Sequence, residues 1–120
     1  MAIEEEILKE LRGYTGTEHY YKIPFSNYIY TDGINALINK CDCHWLIDDY
    51  GILLHNKKDL QKPFILLEIK VNSDKTAIIT LKEDSNLKPF YTQKLKYTTF
   101  PLKEYSFYIC DNVFLLKSEY

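Results

Sequence analysis

The chain reads as an α+β domain: an N-terminal helix and a helix pair packed on one face of a four- to five-stranded antiparallel sheet. Three observations predict this. Apolar residues recur at helical spacing in three segments before residue 56. From Pro63 onward the period changes to strict alternation. Short turns separate the alternating runs, the pattern of an antiparallel sheet. At 120 residues the expectation is one domain over residues 1–120, large enough for a core without disulfides or metal.

Residues 2–12 form the first predicted helix, with Ile3, Ile7, Leu8 and Leu11 on one face. Glu4, Glu5 and Glu6 lie in its first turn, where the helix dipole favours acids, and Gly13 marks its end. The hydroxyl-rich turn Tyr14-Thr15-Gly16-Thr17 follows, then an extended stretch over Glu18–Lys22 that ends near Pro24. The aromatic run Tyr28-Ile29-Tyr30 hands over to a helix at Thr31-Asp32-Gly33, because Thr and Asp cap well and Ile34, Leu37, Ile38 and Cys41 continue at helical spacing. A third helix is expected over about 43–55, capped by Asp42, with Trp45, Leu46, Tyr50, Leu53 and Leu54 towards the core. Gly51 weakens it by about 1 kcal/mol relative to Ala. Residues 56–59 read as a loop.

The alternating runs come next. Ile65, Leu67, Ile69 and Val71 share one face of a strand, and Ala77, Ile79 and Leu81 share one face of the next, after the turn at 72–75. Tyr91, Gln93, Leu95 and Tyr97 alternate with Lys94 and Lys96 on a third. Tyr105, Phe107 and Ile109 mark a fourth, and Asp111-Asn112 is a two-residue hairpin turn leading to a fifth over 113–116. The helices are expected to cover one face of this sheet and leave the other wet.

Composition excludes several classes of function. No segment approaches the ~20 apolar residues of a spanning helix, and no secretory leader is read at the N-terminus. With three cysteines, an odd number, the expectation is free thiols and a cytoplasmic setting. The formal charge of −2 is unevenly spread: residues 1–56 carry four basic and nine acidic side chains, residues 57–103 ten basic and five acidic. Arg12 is the sole arginine, which argues against sequence-specific DNA reading, where Arg forks are preferred.

The constellations that bear on chemistry are weak. Cys41-x-Cys43-His44, with Cys110 or His55, shows half a zinc site at a spacing too short for a loop knuckle. Thr15, Thr17, Cys41, Cys43, His19, His44, Asp32 and Asp48 supply the residue types of nucleophilic catalysis with no local signature around them. A small enzyme using His19 with Glu18 and Thr17 is one alternative, although Glu18 and His19 are neighbours on an extended segment and point apart. Adjacent Asp48 and Asp49 diverge by about 100° on a helix and make a solvated face. Asp32 would repel an anion at the helix start, so Thr31 or Asp32 is expected to cap. No cofactor motif is present. Tyr20, Tyr21, Tyr91 and Tyr97 with Lys94 and Lys96 suggest a second alternative, a nucleic-acid or nucleotide platform on the sheet, opposed by the alternation of Tyr and Lys.

Several segments occur together in order: Tyr14–Tyr21 with its Thr-Gly-Thr, Tyr30-Thr31-Asp32-Gly33, Trp45-Leu46-Ile47-Asp48, Tyr97–Leu102, and the ending Ser118-Glu119-Tyr120. From about residue 11 to the C-terminus the chain resembles an uncharacterised family of small bacterial and phage proteins known only as a domain of unknown function. In that pattern an Asp is expected before Phe-Pro, where this chain has Thr99. The resemblance supplies no catalytic residues. It implies a phage, prophage or plasmid context, and with it a non-enzymatic protein that binds a host or defence protein, such as a CRISPR nuclease, and occludes it. The binding residues expected are Thr15, Thr17, His19, Tyr20, Tyr21, Asp32, Tyr91 and Tyr97. Tyr offers rigid contact area at interfaces.

Overall fold

A computed structural model describes residues 2–120. Helix α1 (Ala2–Arg12) buries Ile7 and Leu11, while Ile3 is exposed, so the first turn lies clear of the core. Glu10 pairs with Lys40 at 2.5 Å and ties α1 to the next helix. Strands β1 (Tyr20–Lys22) and β2 (Ile29–Thr31) form an antiparallel pair, and β2 runs directly into α2 (Asp32–Cys41). Asp42 does not cap the third helix. It ends α2 in the left-handed conformation (φ 51°), and α3 (His44–Asn56) starts after Cys43 with no side-chain cap. Lys58–Leu60 forms a 3-10 turn where a loop was expected.

The alternating runs form β3 (Phe64–Val71), β4 (Ala77–Lys82), β5 (Tyr91–Leu95), β6 (Glu104–Cys110) and β7 (Val113–Leu115), with β6 returning beside β3 rather than β5, followed by a 3-10 turn over Lys117–Glu119. The strand registers follow the alternation: Ile69 opposes Ile79, and Leu67 opposes both Leu81 and Phe107. Asp111 takes the positive φ (54°) that the two-residue β6–β7 link requires. Tyr97 lies beyond the end of β5.

The sheet is not the four- to five-stranded antiparallel one expected. It has seven strands in the order β1-β2-β7-β6-β3-β4-β5, and it is mixed because β2 pairs with β7 in parallel. The two upstream segments were legible as extended. Their partner was not: three residues give too little alternation to fix a face, and Tyr30 meets Phe114, 84 positions further along the chain.

Buried side chains of all three helices join the inner sheet face in one core, among them Leu11, Leu37, Leu46, Tyr50, Ile65, Ile79, Phe107 and Phe114. Gly51 is there for space. A Cβ at this position would stand 2.8 Å from both Cδ1 and Cγ2 of the fully buried Ile23. The outer face is only partly wet. Phe64, Tyr108 and Tyr120 form an aromatic cluster with centroids 4.7–5.7 Å apart, and Leu66, opposite Tyr108, is buried. Among the described residues no helix is long and apolar enough to cross a membrane.

Candidate functional site

Polar contacts concentrate where β2 becomes α2. Thr31 is the N-cap: its hydroxyl oxygen accepts from Ile34 N–H at 3.3 Å and its proton goes to Glu119 Oε1 at 2.6 Å. Glu119 also accepts from Gly33 N–H (3.0 Å) and Leu116 N–H (2.9 Å). The C-terminal carboxylate side chain therefore sits on the positive end of α2, joining residues 86 and 88 positions apart. An anion does occupy this helix start, contrary to expectation, and it is the protein's own. Gly33 is required for that approach, since a Cβ would lie 2.5 Å from Glu119 Cδ and 2.8 Å from Leu116 Cδ1.

Asp32, one residue on, turns the other way and fastens the β1 approach. Its Oδ2 accepts from Glu18 N–H (2.9 Å) and His19 N–H (3.3 Å), and its Oδ1 from the Tyr21 hydroxyl (3.0 Å). The Glu18 N–H foremost, then Tyr21, His19 and Thr17, hold its carboxyl below the ordinary carboxylate value. The same contact is the main reason the Tyr21 hydroxyl is pushed up. Thr17 accepts from Asp32 N–H (2.9 Å) and donates to His19 C=O (2.6 Å).

Thr17, His19, Tyr21 and Asp32 are thus brought together, as a latch between backbone segments. The Thr17 proton is committed to a carbonyl. The His19 ring is 74% exposed, with Nδ1 3.7 Å from Asp32, beyond hydrogen-bond reach. A nucleophile needs a base on its proton, and this arrangement provides none. Thr15 is exposed and makes no side-chain hydrogen bond among the described residues. Tyr21 stacks on Tyr30 at 5.2 Å, whereas Tyr20 points away and is exposed.

Tyr91 and Tyr97 do not join this group. β1 and β5 are opposite ends of the sheet, six strand steps or roughly 29 Å apart. The four tyrosines with Lys94 and Lys96 therefore form no single platform. Tyr91 turns inward to meet Tyr50 edge-on at 6.1 Å, and Tyr50 donates to Gln93 at 2.7 Å. Cys41 and Cys43 are buried, and burial pushes their thiols up to about 11 and about 12. His55 meets Asn27. No cluster of three His, Cys, Asp or Glu side chains able to hold a metal occurs among the described residues.

A second feature, absent from the sequence reading, lies along α3 and the edge strand β5. Trp45, Leu95, Tyr97, Thr98 and Thr99 line a depression of about 280 Å3. Beside it, Ile52, Leu53, Asn56, Tyr91 and Gln93 line another of about 400 Å3. β5 pairs with β4 alone, so its outer edge is open. The signal for this groove was an edge position, which periodicity does not encode.

Segments far apart in the sequence meet in this fold: Thr17 and Asp32 at the latch, Glu119 on the start of α2, Trp45 beside Tyr97. The family of unknown function DUF6876 matches residues 5–120. The chain belongs to that family. No curated protein and no solved structure matches it significantly. For this DUF6876 member, the Thr31/Gly33/Glu119 and Thr17/Asp32 contacts give these residues a structural role.

Proposed function

We propose that this DUF6876 protein is a non-enzymatic protein-binding domain that docks its partner in the α3–β5 groove. The observation that carries the reading is the open edge of β5 beside half-buried aromatic and aliphatic side chains. Trp45, Tyr91, Leu95 and Tyr97 supply anchors of the kind that dominate interfaces, and Tyr97 is 68% exposed. An extended segment added to β5 would gain main-chain hydrogen bonds, with its alternate side chains turned towards α3. Thr17, Tyr21 and Asp32 of the latch, by contrast, spend their side-chain polar atoms internally.

The finer reading is an occluding inhibitor from a phage, prophage or plasmid, acting on a host defence protein. Its support is the resemblance noted from the sequence. The test is affinity capture from a host lysate with wild type and with the Trp45→Ala/Tyr97→Ala variant. The reading expects a specific protein retained by wild type, across several salt concentrations, and lost by the variant. Equal retention by both would place binding elsewhere. Adjacent anti-defence genes would support the inhibitory role, and metabolic neighbours would oppose it.

A further inference from the structure

The outer flank of β6 carries a second recess. β7 stops at Leu115, so the edge of β6 at residues 104–106 has no strand beside it. The end of α1 and the Lys117–Glu119 turn close around that gap and leave a groove of about 380 Å3. Its apolar wall is the half-buried Leu8 and Tyr105, with the fully buried Leu11 and Ile69 beneath them.

The rim is charged in an uneven way. Arg12, Lys70 and Lys117 line it with Glu68 and Glu104. Glu68 is already met by Lys82, at 2.8 Å. Glu104 stands opposite Lys70 in the β3–β6 register, but the two form no ion pair among the described residues. Arg12 and Lys117 form no ion pair among the described residues. Lys117 is held at the outer face by the Tyr108 ring, 5.9 Å from its centroid. With Glu68 met by Lys82, the rim carries Arg12, Lys70 and Lys117 against Glu104, an excess of two positive charges that matches one phosphate dianion. The hydroxyls of Ser106 and Ser118 also line the groove and have no hydrogen-bond partner among the described residues.

We propose that this groove binds a mononucleotide. The phosphate lies between Arg12 and Lys117, and the sugar hydroxyls meet Ser106 and Ser118. The base rests on Leu8 and the Tyr105 ring. The volume falls within the usual range for small-ligand sites, roughly 300–1,000 Å3. A polynucleotide would need a basic track leading out of the groove. Lys94, the basic residue of β5, lies three strands away, roughly 14 Å.

The test is a titration of the full chain with AMP, adenosine and inorganic phosphate, followed by calorimetry and by backbone amide shifts. AMP is expected to bind and to shift amides at residues 8–12, 104–106 and 117–118. Adenosine and phosphate alone are expected to bind at least about tenfold more weakly. The R12Q/K117Q variant, both positions being exposed, should keep its fold and weaken AMP about tenfold or more. K94Q/K96Q and W45A/Y97A should bind AMP as wild type does, which separates this site from the protein-docking groove. Absence of AMP binding at millimolar concentration would overturn the proposal. So would AMP binding unchanged in R12Q/K117Q, or a single-stranded RNA oligomer that binds there far more tightly than AMP.

Discussion

Replacing Glu119 by Ala removes the group that fastens the C-terminus to the start of α2. Three hydrogen bonds are lost, from Thr31 (2.6 Å), Leu116 (2.9 Å) and Gly33 (3.0 Å). Bonds to a charged group contribute roughly 1.5–3 kcal/mol each when well shielded. Glu119 is half-buried and water replaces part of what is lost, so about 1 kcal/mol each is the better figure, or about 3 kcal/mol in all. For a chain of this size that is a fall in Tm of roughly 12 °C, at about 4 °C per kcal/mol. Glu119→Gln keeps the shape. Its NH2 must face a backbone N–H, however, which costs about 1–2 kcal/mol. Thermal unfolding followed by circular dichroism, with urea midpoints as a check, measures both. Glu119→Ala within about 0.5 kcal/mol of wild type, the scatter of ordinary surface changes, would refute the latch. A Gly33→Ala cost that persists undiminished in the Glu119→Ala background would refute the steric account of Gly33.

Three further outcomes are expected. Gly51→Ala should destabilise by about 1–3 kcal/mol despite its better helix propensity, because its Cβ meets Ile23, and Ile23→Val should recover part of the loss in a double variant. Asp32 contributes stability that is full above its unfolded value near 3.8 and is lost as pH falls through its lower folded value. Acid unfolding of Asp32→Asn should accordingly show a weaker pH dependence below about pH 4 than wild type, read from urea midpoints at stepped pH. Alkylation of the native protein at pH 8 should modify Cys110 ahead of Cys41 and Cys43, whose thiols are buried and poorly ionised, and all three after unfolding, as peptide mass analysis would report.

The helices and the strands β3 to β6 were legible because each is long enough to show its period. Ile65, Leu67 and Ile69 alternate through an eight-residue strand, and Ile34, Leu37, Ile38 and Cys41 trace a full helical face. The β1 and β2 additions were not, since a three-residue strand takes its place from its partner. The latch was half legible. Thr31 was read as a cap on local grounds, but its acceptor, Glu119, comes from the other end of the chain. Asp42 shows local chemistry with two outlets: Asp starts helices well and also tolerates the left-handed backbone, and the end of α2 claimed it. The separation of Tyr20 and Tyr21 from Tyr91 and Tyr97 follows from strand order, which alternation leaves open.

The docking surface is the central claim, and the most direct test is quantitative capture with three baits: wild type, Trp45→Ala/Tyr97→Ala, and His19→Ala at the exposed rim of the latch. Circular dichroism would establish that each bait is folded. Docking in the α3–β5 groove predicts a specific protein bound equally by wild type and His19→Ala and released by Trp45→Ala/Tyr97→Ala. Loss with His19→Ala and retention by the groove variant would contradict it.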